Sequence, residues 1–290
     1  MFKLFGKKKE EAQPAAEKRQ HPELTALATQ FDPEEFDILA VTGVNSFGGD
    51  KEPDQELWTA TLPLTAWKEE EGPIHQEATC LVALADDILL DYLRRLAPRD
   101  SIIQARVRQG LEDDRFLLVG LPAPVMDPEL KAILDEQKQE VSVWAEGLGT
   151  FVLNRSVNWF QTDVDWLEQS IQLTYDQAGE EEMKAARQTA LALMADRAGW
   201  DEKVRAFAAD HLLSQANDWA RDEAQDGEEP EEITREHFMQ RIELESIQVY
   251  GDGRFEFWFN GGDLFWGRAI HVTGSLTEGP TGAQMEGYSL

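Results

Sequence analysis

The chain has a single cysteine, few positively charged residues and no long hydrophobic run. One cysteine, Cys80, excludes an intramolecular disulfide framework and a metal cluster built from cysteines. No segment reaches the roughly 20 apolar residues of a membrane-spanning helix. The N-terminus lacks the apolar core of a signal peptide. We therefore predict a cytoplasmic protein without a transmembrane segment.

The charge balance is strongly acidic. The chain has 27 Lys and Arg residues against 56 Asp and Glu residues, which gives a formal net charge of -29 at pH 7. Nucleic-acid binding draws on clustered Lys and Arg side chains that displace counterions from phosphates, so we predict no nucleic-acid partner. Such acidity attracts basic proteins, although solubility alone also explains it.

Two segments differ from the rest in charge. Residues 1–21 hold six bases and three acids, and we interpret them as a disordered basic tail. Residues 222–236 hold eight acids and one base around Gly227 and Pro230. We predict a solvated linker there, and its alternative role is to bind a cationic protein.

Residues 22–140 predict a β-rich N-terminal domain with one helix. Residues 101–109 alternate between apolar and polar side chains, and residues 115–121 return as a hairpin partner. Residues 86–96 have apolar side chains at helical spacing behind a capping aspartate. Several short strands with one intervening helix indicate a small, curved or barrel-like sheet.

Residues 141–290 predict a second domain. Three strands precede three helices, and three more strands follow them, in the order β-β-β-α-α-α-β-β-β. Strands grouped before and after helices favour an α+β fold, here an antiparallel sheet packed with helices. The predicted strands lie at residues 147–154, 157–166, 170–175, 242–250, 254–260 and 266–274.

The last hairpin carries the candidate functional residues. Glu256 and Trp258 share one face of its first strand, opposite three phenylalanines, and Gly261 begins its turn. We interpret the exposed residues near the turn as a binding surface: Trp258, Asp263, Phe265, Trp266 and Arg268. No residue is assigned a catalytic role, and we predict no metal and no cofactor. The chemical alternative joins Asp263, His271 and Glu256 as an acid/base or metal cluster.

Five ordered blocks of the C-terminal half resemble the bacterial family labelled domain of unknown function 2262. They are residues 148–155 (LGTFVLNR), 157–160 (VNWF), 233–238 (ITREHF), 244–247 (LESI) and 262–267 (GDLFWG). The resemblance covers roughly residues 143–287. Residues 22–140 are similar to the extra N-terminal domain of longer members. Members often carry His after the Phe-Trp-Gly triplet, where this chain has Arg268. The resemblance implies no reaction, substrate or cofactor.

Three functions remain open. The leading hypothesis is a non-catalytic protein-binding module, for example a toxin-neutralising immunity protein, because the chain is acidic and lacks the P-loop, Rossmann, HExxH, Gly-x-Ser-x-Gly and CxxC motifs. The second is an enzyme of hydrolase type that uses Asp263 and His271. The third is a structural or assembly subunit whose exposed aromatic residues are buried on homo-oligomerisation.

Overall fold

The computed structural model describes residues 21–223 and 232–287. Residues 1–20, which make up almost all of the predicted basic tail, and residues 224–231 of the acidic segment lie outside the described residues. The chain divides into two compact units between Gln139 and Glu140. Each unit has its own sheet and its own helices, so the predicted α+β class with two domains is confirmed.

The N-terminal unit contains three helices and seven strands in the described residues. In chain order they are α1 (Pro22–Ala28), β1 (Phe36–Thr42), β2 (Gly48–Asp50), β3 (Trp58–Lys68), β4 (Thr79–Ala85), α2 (Asp87–Leu96), β5 (Ile102–Gln109), β6 (Phe116–Leu118), β7 (Ala123–Pro124) and α3 (Pro128–Gln137). The capping aspartate of α2 is Asp86, whose side chain accepts a hydrogen bond from the backbone N–H of Leu89.

Five strands of this unit close into a barrel. Their order is β1-β3-β4-β6-β5, and β5 pairs in turn with β1. Along β5, Ile103, Ala105 and Val107 are buried whereas Gln104 and Arg106 are exposed, as the alternation predicted. Closure of the barrel pairs β1 with β5, whose backbone N–H and C=O groups would be unpaired along the edges of a small open sheet. The barrel-like prediction is therefore confirmed.

Helix α3 is fixed to the barrel at its first turn. The carboxylate of Asp127 accepts hydrogen bonds from the backbone N–H groups of Glu129 (3.0 Å) and Leu130 (2.8 Å). The buried Nζ of Lys68, at the end of β3, lies 3.0 Å from Asp127 Oδ2 and 2.6 Å from Glu129 Oε2. The Leu130 N–H, and after it Lys68, lower the pKa of Asp127.

The C-terminal unit is larger than the predicted pattern by two strands. In chain order its elements are β8 (Ser142–Ala145), β9 (Gly149–Asn154), β10 (Trp159–Trp166), β11 (Gln169–Asp176), α4 (Glu180–Ala195), α5 (Arg197–Glu223), α6 (Arg235–Arg241), β12 (Glu243–Val249), β13 (Arg254–Asn260), β14 (Ala269–Ser275) and β15 (Gly279–Met285).

These eight strands form one sheet in the order β15-β14-β13-β12-β11-β10-β9-β8. All neighbours run antiparallel except β11 and β12, which are parallel because the three helices connect them. The order with three strands on each side of the helices is corrected to four on each side. Strand β8 is short and β15 contains glycine and proline, so neither has a pattern typical of strands.

The helices pack against one face of this sheet. Phe255, Phe257 and Phe259 of β13 are at most 1% exposed on that face. Trp200 of α5 contacts the Phe255 ring edge-on, with 5.2 Å between the ring centroids. Because side chains alternate along a strand, Glu256 and Trp258 lie on the opposite face.

A buried ionic network connects α5 to the sheet. Asp201 of α5 accepts hydrogen bonds from Trp166 Nε1 of β10 (3.1 Å) and from Arg205 Nε (2.7 Å). Arg205 also donates to the carbonyl oxygens of Met239 (3.0 Å) and Ile242, at the end of α6. The Asp201 and Arg205 side chains are only 12% and 15% exposed. Such a pair is stable only when its remaining polar atoms are bonded as well.

Candidate functional site

The loop between β13 and β14 is shaped by glycine. A Cβ atom on Gly261 would lie 2.6 Å from the carbonyl oxygen of Arg268, which is closer than non-bonded atoms approach. Gly262 has a φ of +53° and begins a short 3-10 helix, Gly262–Leu264. Beyond the 3-10 helix, Trp266 and Gly267 also have positive φ angles. The chain therefore turns sharply and returns as β14.

The pairing of β13 with β14 brings Glu256 and His271 together on the face opposite the helices. His271 Nε2 lies 2.9 Å from Glu256 Oε2. Trp258, which is directly opposite His271 in the register, stacks on the imidazole with 4.0 Å between centroids and 11° between planes. Two of the three residues of the predicted chemical cluster thus meet.

Tyr250 and Glu286 complete this cluster. The Tyr250 hydroxyl donates to Glu256 Oε1 at 2.7 Å. Burial, and after it the hydrogen bond to Glu256, raises the pKa of Tyr250, so the phenol keeps its proton. On the other side of the imidazole, Glu286 Oε1 lies 3.8 Å from His271 Nδ1. Both ring nitrogens of His271 are directed at carboxylates.

Within this cluster, Glu256 is hydrogen-bonded to both Tyr250 and His271, whereas His271 Nδ1 is buried and has no hydrogen-bond partner among the described residues. In the tautomer that has its proton on Nε2, His271 donates a hydrogen bond to the Glu256 carboxylate. Glu256 therefore holds the imidazole and the phenol together, and the imidazole supports the Trp258 ring from one side. The arrangement orients an aromatic side chain on the sheet.

Asp263 is located apart from this cluster. Its carboxylate binds Arg241 at the end of α6, with 3.1 Å between Arg241 Nε and Asp263 Oδ1. In the described parts of the chain, no hydrogen bond or ion pair joins Asp263 to Glu256 or His271. The Asp263 side chain is 77% exposed. The structure therefore does not bring the three residues of the chemical alternative together.

The remaining predicted binding residues, Phe265, Trp266 and Arg268, lie around Trp219 of α5, and we call these four residues the aromatic corner. Phe265 is fully buried, and its ring contacts Trp219 edge-on at 5.5 Å, so it belongs to the core and not to the surface. Trp266 is 50% exposed and packs on Trp219 with 4.6 Å between centroids. The Arg268 guanidinium lies over the Trp219 ring at 5.2 Å.

The aromatic corner lies beside the start of the acidic segment. Trp219 is in the last two turns of α5, and the exposed Asp218 and Asp222 are in the same turns. The acidic segment continues through residues 224–231, outside the described residues, and Glu232 follows on the other side. The half-exposed Trp266 therefore lies close to the C-terminal end of α5, where the acidic segment begins.

Two of the site residues carry no recognisable sequence signal. Trp219 follows the apolar stripe of α5 and resembles any other core residue of a helix. Tyr250 is the first residue after β12, and only the hairpin register brings its hydroxyl to Glu256. A known register would have identified Glu256 and His271 as neighbours, because Glu256 is opposite Thr273 and lies diagonally across from His271, within reach of long side chains.

Other properties of the described residues bear on ligand binding. In residues 21–223 and 232–287, no group of three or more His, Cys, Asp or Glu side chains is placed to hold a metal ion. No helix in these ranges has the length and apolar character to cross a membrane. A cavity of about 460 Å³ lies in the N-terminal unit, and another of about 710 Å³ lies beside Trp166 and Arg205.

The architecture defines a two-domain α+β protein with a barrel followed by a single open sheet. Residues 145–285 match the family described as "Uncharacterized protein conserved in bacteria (DUF2262)". Residues 23–137 match the family described as "Domain of unknown function (DUF7021)". The first match confirms the resemblance of the C-terminal half, and the second match covers the N-terminal domain. Comparison with curated proteins and with solved structures gave no match.

Proposed function

We propose that this protein is a non-catalytic binding module whose aromatic corner and adjacent acidic segment engage a basic protein. The observation that carries the proposal is Trp266: its indole is half exposed while its backbone has a φ of +51°. A bulky residue in the left-handed region costs about 1–3 kcal/mol, and such strain is concentrated at functional sites. The fold retains a strained position in order to present this side chain.

The chemistry of the corner suits protein recognition. Tryptophan is enriched among the residues that dominate binding energy at protein interfaces. The ring is held by Trp219, so little side-chain entropy is lost when a partner covers it. An aromatic face beside carboxylates attracts Arg and Lys side chains, through the ring quadrupole and through opposite charge. A positively charged protein therefore fits this surface.

The net charge of -29 supports the same kind of partner. A strongly acidic body steers basic proteins toward it and raises their association rate at low salt. An immunity protein that neutralises a basic toxin is one concrete form of this function. In that form, the acidic segment at residues 222–236 makes the electrostatic contact and Trp266 supplies the apolar anchor.

Affinity capture tests the proposal. The tagged full-length chain is exposed to native bacterial lysate at about 0.1 M and about 1 M salt, which shortens the Debye length from roughly 10 Å to roughly 3 Å. We expect a stoichiometric basic protein that is retained at the lower salt and released at the higher. Trp266→Ala should weaken its binding by at least about thirtyfold, the effect of losing an anchor worth about 2 kcal/mol.

Trp144 provides the matched control. It is 69% exposed on the edge strand β8, so Trp144→Ala removes an equally large aromatic side chain from another part of the same unit. Retention of the partner by Trp144→Ala and its loss by Trp266→Ala support the proposal. Equal binding by both variants contradicts it. A homo-oligomer that Trp266→Ala dissociates would favour the assembly subunit instead.

One observation favours a second candidate, an enzyme of hydrolase type. The contact between His271 and Glu256 is the kind that orients a catalytic imidazole. Asp263 has no part in that pair, so the candidate depends on His271 alone as the base. A folded His271→Gln variant that loses a measured activity, while Trp266→Ala retains it, would establish this alternative over the binding module.

A further inference from the structure

A leucine-rich cavity of about 460 Å³ lies beside the barrel of the N-terminal unit. Helices α1 and α2 and strands β4 and β6 form most of its wall. Its apolar lining includes Leu24, Leu27, Leu84, Leu89, Leu93 and Leu117. The volume is in the range of about 300–1,000 Å³ that is typical of small-molecule sites, which are mainly apolar with a few placed polar groups.

Arg108 of β5 is the charged residue in the wall of this cavity. One edge of its guanidinium is bonded, because Nη2 donates to Glu35 Oε1 at 2.6 Å. Its Nε is buried and has no hydrogen-bond partner among the described residues. A buried donor without an acceptor costs free energy, so it is the kind of group that a ligand satisfies.

Glu35 occupies only part of the hydrogen-bonding capacity of Arg108. Its carboxylate also accepts a hydrogen bond from Arg106 Nε at 3.2 Å, and Arg106 lies 3.7 Å from Asp37 as well, so two guanidinium groups are paired with two carboxylates. Arg108, and to a smaller degree Arg106, lowers the pKa of Glu35, which therefore remains ionised at neutral pH. The Arg108 guanidinium can also donate hydrogen bonds to a second carboxylate, because a guanidinium has five N–H donors.

We propose that this cavity binds a small monocarboxylic acid with an unbranched apolar tail, of the fatty-acid type. The tail occupies the leucine-lined volume and the carboxylate binds Arg108. A ligand with a neutral head group cannot form charge-assisted hydrogen bonds with Arg108, and a ligand with a cationic head group is repelled by it. Each methylene buried in the cavity raises the affinity by about fourfold, so affinity increases with chain length until the volume is filled.

The proposal is tested by calorimetric titration of the full-length protein at about 0.15 M salt, which screens the long-range repulsion of anions. The probes are octanoate, decanoate, 1-octanol and octylammonium. We expect decanoate to bind about fifteenfold more tightly than octanoate, since it has two more methylenes. We expect octanoate to bind about tenfold more tightly than 1-octanol, and octylammonium not to bind.

Two pairs of variants separate the head-group contact from the cavity. Arg108→Gln should weaken octanoate binding by about tenfold, the effect of a lost charged hydrogen bond, and leave 1-octanol binding unchanged. Its control is Arg106→Gln, which removes an equal charge next to Glu35 but outside the cavity wall. Ala28→Phe fills the cavity from α1, and Ala26→Phe adds the same ring to an exposed position of that helix.

About tenfold weaker octanoate binding in Arg108→Gln and loss of octanoate binding in Ala28→Phe, with native affinity in both controls, support the proposal. Absence of octanoate and decanoate binding to the native protein overturns it. So does equal affinity for octanoate and 1-octanol, or unchanged binding in Ala28→Phe. A dimer of the native chain that Ala28→Phe dissociates would show that a second copy occupies this face, and it would also overturn the proposal.

Discussion

Substitution of Asp201 by alanine tests the buried network that joins α5 to the sheet. The variant removes the acceptor of two hydrogen bonds, from Trp166 Nε1 and from Arg205 Nε. Both are hydrogen bonds to a carboxylate, each of which contributes about 1.5–3 kcal/mol, so at the lower end of this range the two together contribute about 3 kcal/mol or slightly more. Alanine recovers about 0.5 kcal/mol of helix propensity. We therefore expect a loss of about 3 kcal/mol in the free energy of unfolding.

The desolvated charge left behind explains why the loss is large. Arg205 stays bound to the carbonyl oxygens of Met239 and Ile242, so its guanidinium cannot turn to water without breaking those bonds. Breaking one partner of a buried pair typically costs about 3–5 kcal/mol. Asp201→Asn should cost less than Asp201→Ala, because its side-chain oxygen can still accept the Trp166 N–H.

The measurement is urea denaturation followed by tryptophan fluorescence, with hydrogen exchange in β10 and β11 to assign the transition to the C-terminal unit. Asp210 provides the control on the same helix: its ion pair with Arg235 is about half exposed, so Asp210→Ala should leave stability unchanged within experimental error. A loss below about 1 kcal/mol for Asp201→Ala would refute the reasoning, since a buried pair cannot be broken so cheaply.

Three further predictions concern single positions. Asp127→Ala should destabilise the native protein by about 2–3 kcal/mol at neutral pH, because it removes the α3 cap and one of the two carboxylates that pair with the buried Lys68. Since the folded-state pKa of Asp127 is lowered, the difference should be complete above about pH 5 and disappear in an acid unfolding series as pH falls through that pKa. Leu167→Gly should raise the thermal unfolding midpoint, because Leu167 has a φ of +57°, whereas Val157→Gly in another turn should lower it. Cys80 should react with a disulfide reagent more slowly in the native chain than in urea, because burial raises its thiol pKa; equal rates would contradict this.

The elements that the sequence predicts best are those whose side chains alternate between two distinct environments. Strand β5 is an example, since its buried and exposed residues alternate along most of its length. Strand β15 was missed because Gly279, Pro280 and Gly282 are typical of loops. Strand β15 forms by pairing with β14. This pairing is a tertiary contact that the intrinsic strand propensity of residues in β15 does not reflect.

The candidate site was predictable in composition but not in geometry. The hairpin, its glycine turn and the face shared by Glu256 and Trp258 follow from local pattern. The contact of Glu256 with His271 depends on the register of β13 against β14, which is fixed by the 3-10 helix and the left-handed residues of the intervening loop. The burial of Phe265 and exposure of Trp266 depend on the same loop, because neither residue belongs to a strand.

The two ends of the eight-stranded sheet limit how a partner can attach. An edge strand can template an added strand through its free N–H and C=O groups. Here β8 has only four residues, and β15 contains a proline, which has no N–H to donate, and glycines, which order poorly. Both edges therefore resist backbone pairing with another chain, which protects a concentrated solution of the protein from edge-to-edge aggregation.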